Sequence, residues 1–490
     1  MFNPLQFTAE FGKADPAARL PSTKPLRILF INDLGDSCAS RTEHSLATRP
    51  LRAVDIDTFD TFMSTEKPAI DLDEEGFTLK DLDDVHPDQI WQNLSSFQTL
   101  KDLKNRVRDP AQFDSVAQNV QAMLQTSDVP SAPPAEPETD TDTVSRPLGA
   151  QPTTQSVSTP PPTDYLTAIL HDAVAAHITP EADPRAAHYR AALDDAAAAH
   201  MRAVLHNPKV QSVEAAWRGL HLLVSNIDTD TDMSIHVLNA SKTELIAALA
   251  APDGAVDNSV LHSRLVEEPA HAPFTLMVLG DTVAPTPEEV RLLASLGAFA
   301  GRTGAVVLAS PEAGMIGVPS WDAVALSPAP ATPIDDWTLL RSTPMANHIV
   351  ALAPRFMIRT PYGKKLDPIE AFPFEEIVSP ARDHDAFLWG ASSLLACILI
   401  ACSFEQDGWS ARLNTNLAYG DLPFVPYDAD GEQQMKPGAE TLLSDRAAAV
   451  LQDAGIVPVS AIRNQNIIRL PWFQTLATGG DDGRIGPFAL

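Results

Sequence analysis

The stretch VQSVEAAWRGLHLLVSNID runs from Val210 to Asp228 and carries a Trp-Arg-Gly triplet inside an otherwise ordinary helical pattern. Its apolar residues recur at spacings of three and four, which predicts an amphipathic helix with one buried face. The residues of that apolar stripe are Val213, Ala216, Leu220 and Leu223. Because such a face must be covered, the stretch predicts a helix that packs against a larger core.

The triplet itself favours packing over ligand binding. Trp217 adjoins the apolar stripe, where a large ring can cover the edge of a core. Arg218 could reach a carboxylate or the last carbonyl groups of a neighbouring helix. Gly219 weakens a helix by about 1 kcal/mol relative to Ala, so its presence indicates a close approach of another element. We therefore predict a packing and helix-junction element.

The composition is that of a large, acidic chain. It has 490 residues, a formal net charge of -29 and a mean hydropathy of -0.07. This length can hold two or three domains with a sizeable core. The negative charge argues against nucleic acid and anionic membrane surfaces, because phosphates attract clustered Lys and Arg. It permits a basic protein partner and helps to keep a large assembly soluble.

Cysteine usage and hydropathy predict a cytoplasmic protein with no membrane insertion. Cys38, Cys397 and Cys402 do not have the pattern of a disulfide framework. The N-terminal sequence lacks the basic and apolar regions of a signal peptide. The longest apolar run, 387–402, has 16 residues, whereas a membrane-spanning helix needs about 20. We predict a buried helix there.

Residues 126–163 contain nine prolines and almost no large apolar side chains. Such a segment cannot bury enough surface to offset its ordering entropy, so it is predicted to be a disordered linker. The fold class predicted is mixed α/β, with two domains joined by this linker. The predicted parts are an N-terminal extension (1–24), a first domain (25–125), the linker (126–163), a second domain (164–478) and a flexible tail (479–490).

In the first domain, PLRILFIND (25–33) and PLRAVDID (50–57) are predicted strands. AIDLDEEGFTL (69–79) is predicted to form a hairpin that turns at Glu75-Gly76. The apolar spacing of HPDQIWQNLSSFQTLKDLKNRV (86–107) predicts one continuous helix.

In the second domain, a strand, a helix and a strand follow one another. They are FTLMVLGD (274–281), TPEEVRLLASLGAFAGRTG (286–304) and AVVLAS (305–310). This order predicts a crossover unit in a partly parallel sheet.

The most enzyme-like string is LRILFINDLGDSCAS (26–40), in which Ser37 follows Gly-Asp as in the nucleophile block of GDS-type lipases and esterases. A catalytic serine needs an imidazole base and an acidic partner. An Asp-x-x-His occurs at Asp83 to His86, too early for the order of that family and without its oxyanion-binding blocks. The alternative is a polar turn after a strand, which leaves a hydrolase as a distant alternative.

Cofactor and metal signatures are missing from the sequence. It contains neither G-x-x-x-x-G-K-[ST] nor G-x-G-x-x-G, which are the phosphate-binding patterns. It has no H-E-x-x-H and no cysteine pair with zinc-ligand spacing. We therefore expect no cofactor and no metal.

Several strings in the second domain resemble, in the same order, the large sheath subunit of type VI secretion systems (the VipB/ImpC, or TssC, family). LHNPKVQSVEAAWRGLHLLVSNID (205–228) resembles its Glu-x-x-Trp-Arg-Gly-Leu signature. ALAPRFMIRTPYGKKLDPIEAFPFEE (351–376) resembles its Pro-Arg-Phe and Pro-Tyr-Gly block. Residues 384–413 and 421–459 resemble its Trp-Gly helix and its Ser-Asp-Arg stretch. The family-motif residues to which the resemblance assigns a structural role are Trp217, Arg218, Gly219, Pro354, Arg355, Tyr362, Gly363, Trp389, Gly390, Trp409, Ser444, Asp445 and Arg446.

The first domain is similar to the small sheath subunit (VipA/ImpB, or TssB). RPLRAVDIDTFDTFMSTEKPAIDL (49–72) resembles the block of that family with Ile-Asp, Phe-Asp and Lys-Pro. Residues 77–107 resemble its Leu-Asp-Asp stretch and the helix that follows. The resemblance implies a fusion of both subunits in one chain.

In the family, the two subunits form a heterodimer that polymerises into a contractile tube around an inner tube. Neighbouring protomers exchange strands, and an AAA+ unfoldase recycles the tube by binding a short helix near the N-terminus of the large subunit. DYLTAILHDAVA (164–175), with Leu166, Ile169 and Leu170, is similar to that helix. The alternative is simply the first helix of the domain.

The large subunit of the family continues well past the stretch at which this sequence stops, through the exchange strands. The resemblance therefore implies a non-enzymatic, cytoplasmic component of the secretion apparatus, either a fused sheath-like protomer or a sheath cap or accessory subunit. The alternative is an adaptor or regulator that binds sheath, baseplate or unfoldase without polymerising. The partners implied are sheath subunits or further copies of the chain, together with the inner tube, the baseplate and the unfoldase.

Overall fold

The computed structural model describes residues 24–72, 75–107, 184–250, 256–380, 383–413, 417–429, 431–478 and 484–489. The predicted linker and the 164–175 stretch lie outside these residues. The described residues of Met1–Ser96 and Ala198–Leu490 form one compact unit, and those of Phe97–Ala197 form a second.

The strands are β1 Leu26–Asn32, β2 Arg52–Val54, β3 Ala69–Asp71, β4 Gly76–Thr78, β5 Met233–Asn239, β6 Leu276–Val283, β7 Val306–Pro311, β8 Ile349–Ala353, β9 Phe356–Met357, β10 Trp389–Gly390, β11 Leu417–Tyr419, β12 Val425–Ala429, β13 Glu432–Lys436, β14 Ile456–Pro458, β15 Ser460–Ala461, β16 Ile468–Leu470, β17 Arg484–Ile485 and β18 Phe488–Ala489. The helices are α1 Ala39–Glu43, α2 Phe59–Glu66, α3 Pro87–Asn93, α4 Gln98–Arg106, α5 Pro184–Leu205, α6 Pro208–Asn226, α7 Lys242–Ala247, α8 Val260–His262, α9 Pro287–Thr303, α10 Trp321–Leu326, α11 Asp335–Arg341, α12 Ser392–Asp407 and α13 Asp445–Asp453.

A seven-stranded sheet in the order β14-β8-β7-β6-β1-β5-β2 forms the centre of the first unit. Its neighbouring strands are parallel, except that β2 runs antiparallel to β5 at one edge. The parallel pairing of β6 and β7 around α9 confirms the predicted crossover unit. The mixed α/β class is confirmed as well.

β1 explains why both parts of the sequence share this sheet. Six of its seven residues are buried, as is typical of an interior strand that helices cover on both faces. It pairs with β5 over seven positions, from Leu26↔Met233 to Asn32↔Asn239, and with β6 along its other edge. The structure thus differs from the predicted division into domains 25–125 and 164–478, because strands from both ranges complete one sheet.

Helices cover both faces of the sheet. α12 packs against β6, β7 and β8 on one face, and its residues from Ser392 to Phe404 are buried. This confirms the buried helix predicted from the 387–402 run. On the opposite face, Leu296 and Phe299 of α9 join a core cluster with Met277 and Val307. Among the described residues, no helix is long and apolar enough to cross a membrane.

The continuous helix predicted over 86–107 is wrong. α3 ends at Asn93, and the backbone of the following residue, Leu94, is extended (φ -79°, ψ 131°). Ser95 Oγ and the Ser96 amide then donate to Glu75 Oε2, at 2.7 and 3.0 Å. A side chain that binds the backbone in this way competes with helical hydrogen bonding, and apolar spacing alone does not reveal it.

The end of the sequence also differs from the predicted flexible tail. Ile485 and Phe488 belong to the antiparallel pair β17–β18 and are fully buried. The Phe488 ring stacks on Trp409, with 5.6 Å between ring centroids. Burial of two large apolar side chains fixes residues that a glycine-rich composition predicts to be mobile.

The second unit contains α4 and the first part of α5. Leu103, Val107 and Leu193 form a small apolar cluster there, with Leu100 and Tyr189 packed against it. Lys104 Nζ lies 2.7 Å from Asp194 Oδ1.

Candidate functional site

α6 carries the Trp-Arg-Gly triplet and is the centre of the candidate site. Asn207 caps the helix by accepting from the Lys209 amide, and Pro208 occupies its first turn, where a missing N–H costs nothing. The buried face then extends from Val210 to Val224. This confirms the amphipathic helix predicted from the sequence.

Trp217 is the contact between α6 and the N-terminal part of the chain. Its side chain is fully buried, and its Nε1 donates to the Leu34 carbonyl oxygen at 2.9 Å. The rings of Phe59 and Phe62 from α2 lie 6.1 and 5.6 Å from the Trp217 ring, centroid to centroid. A large ring with a satisfied N–H is the arrangement expected of a buried tryptophan.

Gly219 lies where α6 meets the central helix α12. A Cβ atom at this position would come within 3.0 Å of the Leu394 side chain. The close approach inferred from the sequence is therefore present, and a larger residue would require the Leu394 side chain to shift.

Arg218 and Glu214 begin a network of charged side chains on another face of α6. Arg218 Nε lies 2.7 Å from Glu214 Oε1 on the same helix. Glu214, which is fully buried, also accepts from Arg359 Nε at 2.7 Å. Arg359 in turn binds Glu376, whose Oε2 lies 2.8 Å from its NH1. The Arg359 guanidinium stacks over the Tyr362 ring at 4.2 Å from its centroid.

Mutual pairing keeps these buried groups charged. Burial alone would raise the pKa of Glu214, but Arg359 and Arg218 outweigh it and hold the pKa below its usual value. Burial would lower the pKa of Arg359, yet Glu214 and Glu376 raise it well above its usual value. Burial raises the pKa of Tyr362 to about 12. Glu214 and Arg359 are therefore both charged at neutral pH.

Arg355 belongs to a second, more exposed ionic cluster. Its Nε and NH2 donate to the two oxygens of Glu440, at 3.1 and 2.7 Å. His384 Nε2 lies 3.1 Å from Glu440 Oε1, and Trp389 Nε1 donates to the His384 carbonyl oxygen. Burial would raise the pKa of Glu440, but hydrogen bonds from His384 and Arg355 lower it to about 2.

The remaining motif residues have separate structural positions. The Pro354 carbonyl oxygen accepts from Ser392 Oγ at the start of α12, and Gly390 pairs with Phe356 in the short β9–β10 ladder. The Gly363 amide donates to the Asp367 carbonyl oxygen at 2.8 Å. Trp409 Nε1 donates to the Lys24 carbonyl oxygen at 2.8 Å.

The Ser-Asp-Arg motif begins α13. Ser444 is its N-cap and accepts from the Ala447 amide at 3.2 Å. Asp445 and Arg446 are exposed in the first turn, where a carboxylate suits the positive end of the helix dipole. Leu166, Ile169 and Leu170, named for unfoldase binding, lie outside the described residues.

The Ser37 side chain stabilises the loop in which it lies. Its Oγ accepts from the Ala69 amide at 2.7 Å, which ties the loop after β1 to β3. His86 accepts from the Asp88 amide at the start of α3. Among the hydrogen bonds of residues 24–72 and 75–107, none joins Ser37 to a histidine, which favours the polar-turn interpretation.

Metal-binding groups are not assembled in the described part of the chain. It contains no cluster of three or more His, Cys, Asp or Glu side chains that could hold an ion. The thiols are buried, and burial raises the pKa of Cys38 to about 12 and that of Cys402 to about 11. Such thiols make poor ligands and nucleophiles, because the thiolate is the reactive form.

The geometry therefore favours a structural role for this site, in which α6 joins two other segments of the chain, over a catalytic role. α6 holds the N-terminal segment through Trp217. It holds the 355–376 segment through Glu214, which accepts from Arg359, and through Arg218, whose NH2 donates to the Tyr362 hydroxyl at 3.3 Å. Sequence reasoning found the triplet but missed Glu214, Arg359 and Glu376 as partners. The signal was available for one of them, since Glu214 lies four residues before Arg218 on the predicted helix. The other two come from distant sequence positions.

Comparison with known families identifies the class of protein. A model of the VipB family, described as EvpB/VC_A0108, tail sheath N-terminal domain, matches residues 188–475. The match covers more than half of the chain, and the chain therefore belongs to this family of tail sheath proteins. The family is structural and is not one of enzymes.

A curated relative is the type VI secretion system sheath protein TssC1 of Pseudomonas aeruginosa, 31% identical over 301 residues. The aligned region covers 58% of this chain and 60% of that protein, so the chain spans less than two thirds of its relative's length. The match lies in the C-terminal half and confirms the resemblance to the large sheath subunit drawn from the sequence.

Proposed function

We propose that this chain is a fused sheath-like protomer of a type VI secretion apparatus, in which residues 24–107 take the place of the small sheath subunit. The observation that carries the proposal is the position of β1. Within the region matched by the family, β5 and β6 do not pair with each other, and β1 fills the place between them. A strand from outside the matched region is thus required for a continuous sheet.

Polar contacts of the same segment support this role. Arg49 opens the block that resembles the small subunit and is almost fully buried. It donates to the Asn239 carbonyl oxygen at 2.5 Å and to Glu244 Oε1 at 2.7 Å. Asp88 accepts from the amides of Glu370 and Ala371 at about 3 Å. Residues 24–107 are therefore held by specific hydrogen bonds as well as by apolar burial.

Electron microscopy of the purified protein, alone and mixed with sheath subunits from the same cell, tests the proposal. A fused protomer is expected along the whole length of tubes, located by a tag on the full chain. Density only at tube ends would instead identify a cap subunit. A discrete complex without incorporation would identify an adaptor. Either of the last two results would overturn the protomer proposal.

We further infer that a recycling AAA+ unfoldase binds the 164–175 stretch. Leu166, Ile169 and Leu170 supply the apolar side chains there, as the resemblance implies. A Leu166→Asp variant of the full chain should lose binding to the unfoldase in a pull-down, whereas Thr167→Asp in the same stretch should retain it. Equal retention by both variants would contradict the inference.

A further inference from the structure

A cavity of about 220 Å³ lies at the carboxyl ends of β1, β5 and β6. β1 has β5 on one side and β6 on the other. Successive strands of the chain are therefore added to the sheet first on one side of β1 and then on its other side. In open α/β sheets, ligands bind in the crevice outside the carboxyl ends of the strands where this change of side occurs. Arg49 and Asp88, whose polar contacts support the proposed function, do not line this crevice.

The interior of the cavity is apolar. The side chains of Leu245, Leu279, Leu292 and Leu293 line it, and all four are buried in the protein core. An apolar cavity of about 150 Å³ is large enough for benzene. A space of about 220 Å³ therefore has room for one ring with a short side arm.

The mouth of the cavity carries an excess of negative charge. Asp33, Asp281 and Glu289 line it together with a single cation, Lys242. Three carboxylates against one ammonium leave a formal charge of -2 on these groups. A cleft with one dominant sign of charge and apolar walls concentrates ligands of the opposite sign.

All three carboxylates have protein partners, and the ion pairs of Asp33 and Glu289 are shorter than that of Asp281. Asp33 Oδ1 lies 2.6 Å from Arg41 NH1, and Glu289 Oε2 accepts from the Ala284 amide at 2.7 Å and from Lys242 at 3.2 Å. Asp281 is the most exposed of the three; its Oδ1 accepts from the Thr282 amide at 2.7 Å, and its Oδ2 lies 3.4 Å from Lys242 Nζ. Asp281 is therefore the carboxylate best placed to accept a further cation.

We propose that this cavity binds a small monocationic amine whose apolar body lies among the leucines and whose ammonium pairs with Asp281. Lys242 keeps Glu289 and the Thr282 carbonyl oxygen, at 3.2 and 3.1 Å, when the amine binds. Because Ile31, Asn32 and Asp33 of the N-terminal part also line the cavity, the ligand binds only when β1 is in the sheet. Binding therefore stabilises the assembled sheet by mass action.

The test uses the full chain and three matched probes, 2-phenylethylamine, 2-phenylethanol and 3-phenylpropanoate, with affinities measured by ligand-observed NMR. We expect the amine to bind, the alcohol to bind about tenfold more weakly without the ion pair, and the acid to be excluded. Binding of the acid at the amine's affinity, or no binding of the amine at millimolar concentration, would overturn the proposal.

Two variants locate the site. Asp281→Asn should weaken binding of the amine about tenfold, with binding of the alcohol unchanged. Glu432→Gln, on the exposed β12–β13 hairpin, is the matched control and should change neither. Thr243→Trp places a large ring at an exposed position of the mouth and should abolish binding of both probes. Unchanged binding of the amine in either Asp281→Asn or Thr243→Trp would show that this cavity is not its site.

Discussion

The two contact faces of α6 join different parts of the chain by different physical means. Trp217 holds the N-terminal segment by apolar packing against Phe59 and Phe62 and by one hydrogen bond. Glu214 holds the 355–376 segment through the buried guanidinium of Arg359. Apolar packing tolerates changes of salt and pH, whereas a buried ion pair is stable only while every charge keeps its partner.

The difference indicates a division of roles. The Trp217 face supplies stability, because burial of a large ring contributes directly to the free energy of unfolding. The Arg359 face specifies which segment can lie beside α6, because a mismatched partner would leave a buried charge unpaired. The predictions below test that division, starting from the largest expected effect.

Replacing the indole should be the most damaging change. Trp217→Ala is expected to lower the free energy of unfolding by about 3–5 kcal/mol, with the same loss at pH 5 and pH 8. Denaturant titration measures the loss. Trp409→Ala is the control and should cost less, because Trp409 is partly exposed. A loss below about 1 kcal/mol for Trp217→Ala would contradict the role given to the indole.

Removing the shared cation should have a comparable or slightly smaller effect. Arg359→Met is expected to cost about 3–5 kcal/mol, because it leaves Glu376 buried without its guanidinium and leaves Glu214 with Arg218 alone. Replacing Glu214 and Glu376 by Gln in the same chain should restore part of the loss. Arg218→Met, at a half-buried position, should cost less. If the triple variant were no more stable than Arg359→Met, unpaired charge would not be the cause.

Acid should weaken the ionic cluster of Arg355, Glu440 and His384 in a defined range of pH. The folded pKa of Glu440 is about 2, against about 4.5 for an unperturbed carboxyl. The stability it contributes is complete above pH 4.5 and is lost as the pH falls towards 2, a change of about 3 kcal/mol at most. Thermal unfolding between pH 6 and pH 2 measures this loss. Glu440→Gln should flatten the profile, and an unchanged profile in that variant would exclude Glu440 as its source.

Cutting the chain should have the smallest effect. A protease site placed in 126–163, the predicted linker, should yield two fragments that elute together on gel filtration, because β1 stays paired with β5 and β6. The same variant without protease treatment is the control. Separation of the fragments without denaturant would show that the covalent connection is needed to keep β1 in the sheet.

Local patterns predicted the elements that depend on neighbouring residues. The spacing of apolar residues predicted α6, and the 387–402 run predicted the buried helix α12. Local patterns failed where a distant group decided the outcome. The Glu75 carboxylate accepts hydrogen bonds that interrupt the helix predicted over 86–107. The Trp409 ring stacks on Phe488, in the stretch for which composition predicted a flexible tail.

The sequence by itself determined that this is an acidic α/β protein with a sheath-family signature around Trp217. Only the tertiary structure decided that β1 lies between β5 and β6, and that Glu214, Arg359 and Glu376 share one buried network. The physical reason is that helical periodicity and strand character arise from side chains a few residues apart. Strand order and buried charge pairing also depend on residues far apart in the sequence, 145 positions in the case of Glu214 and Arg359, through the requirement that every edge and every charge find a partner.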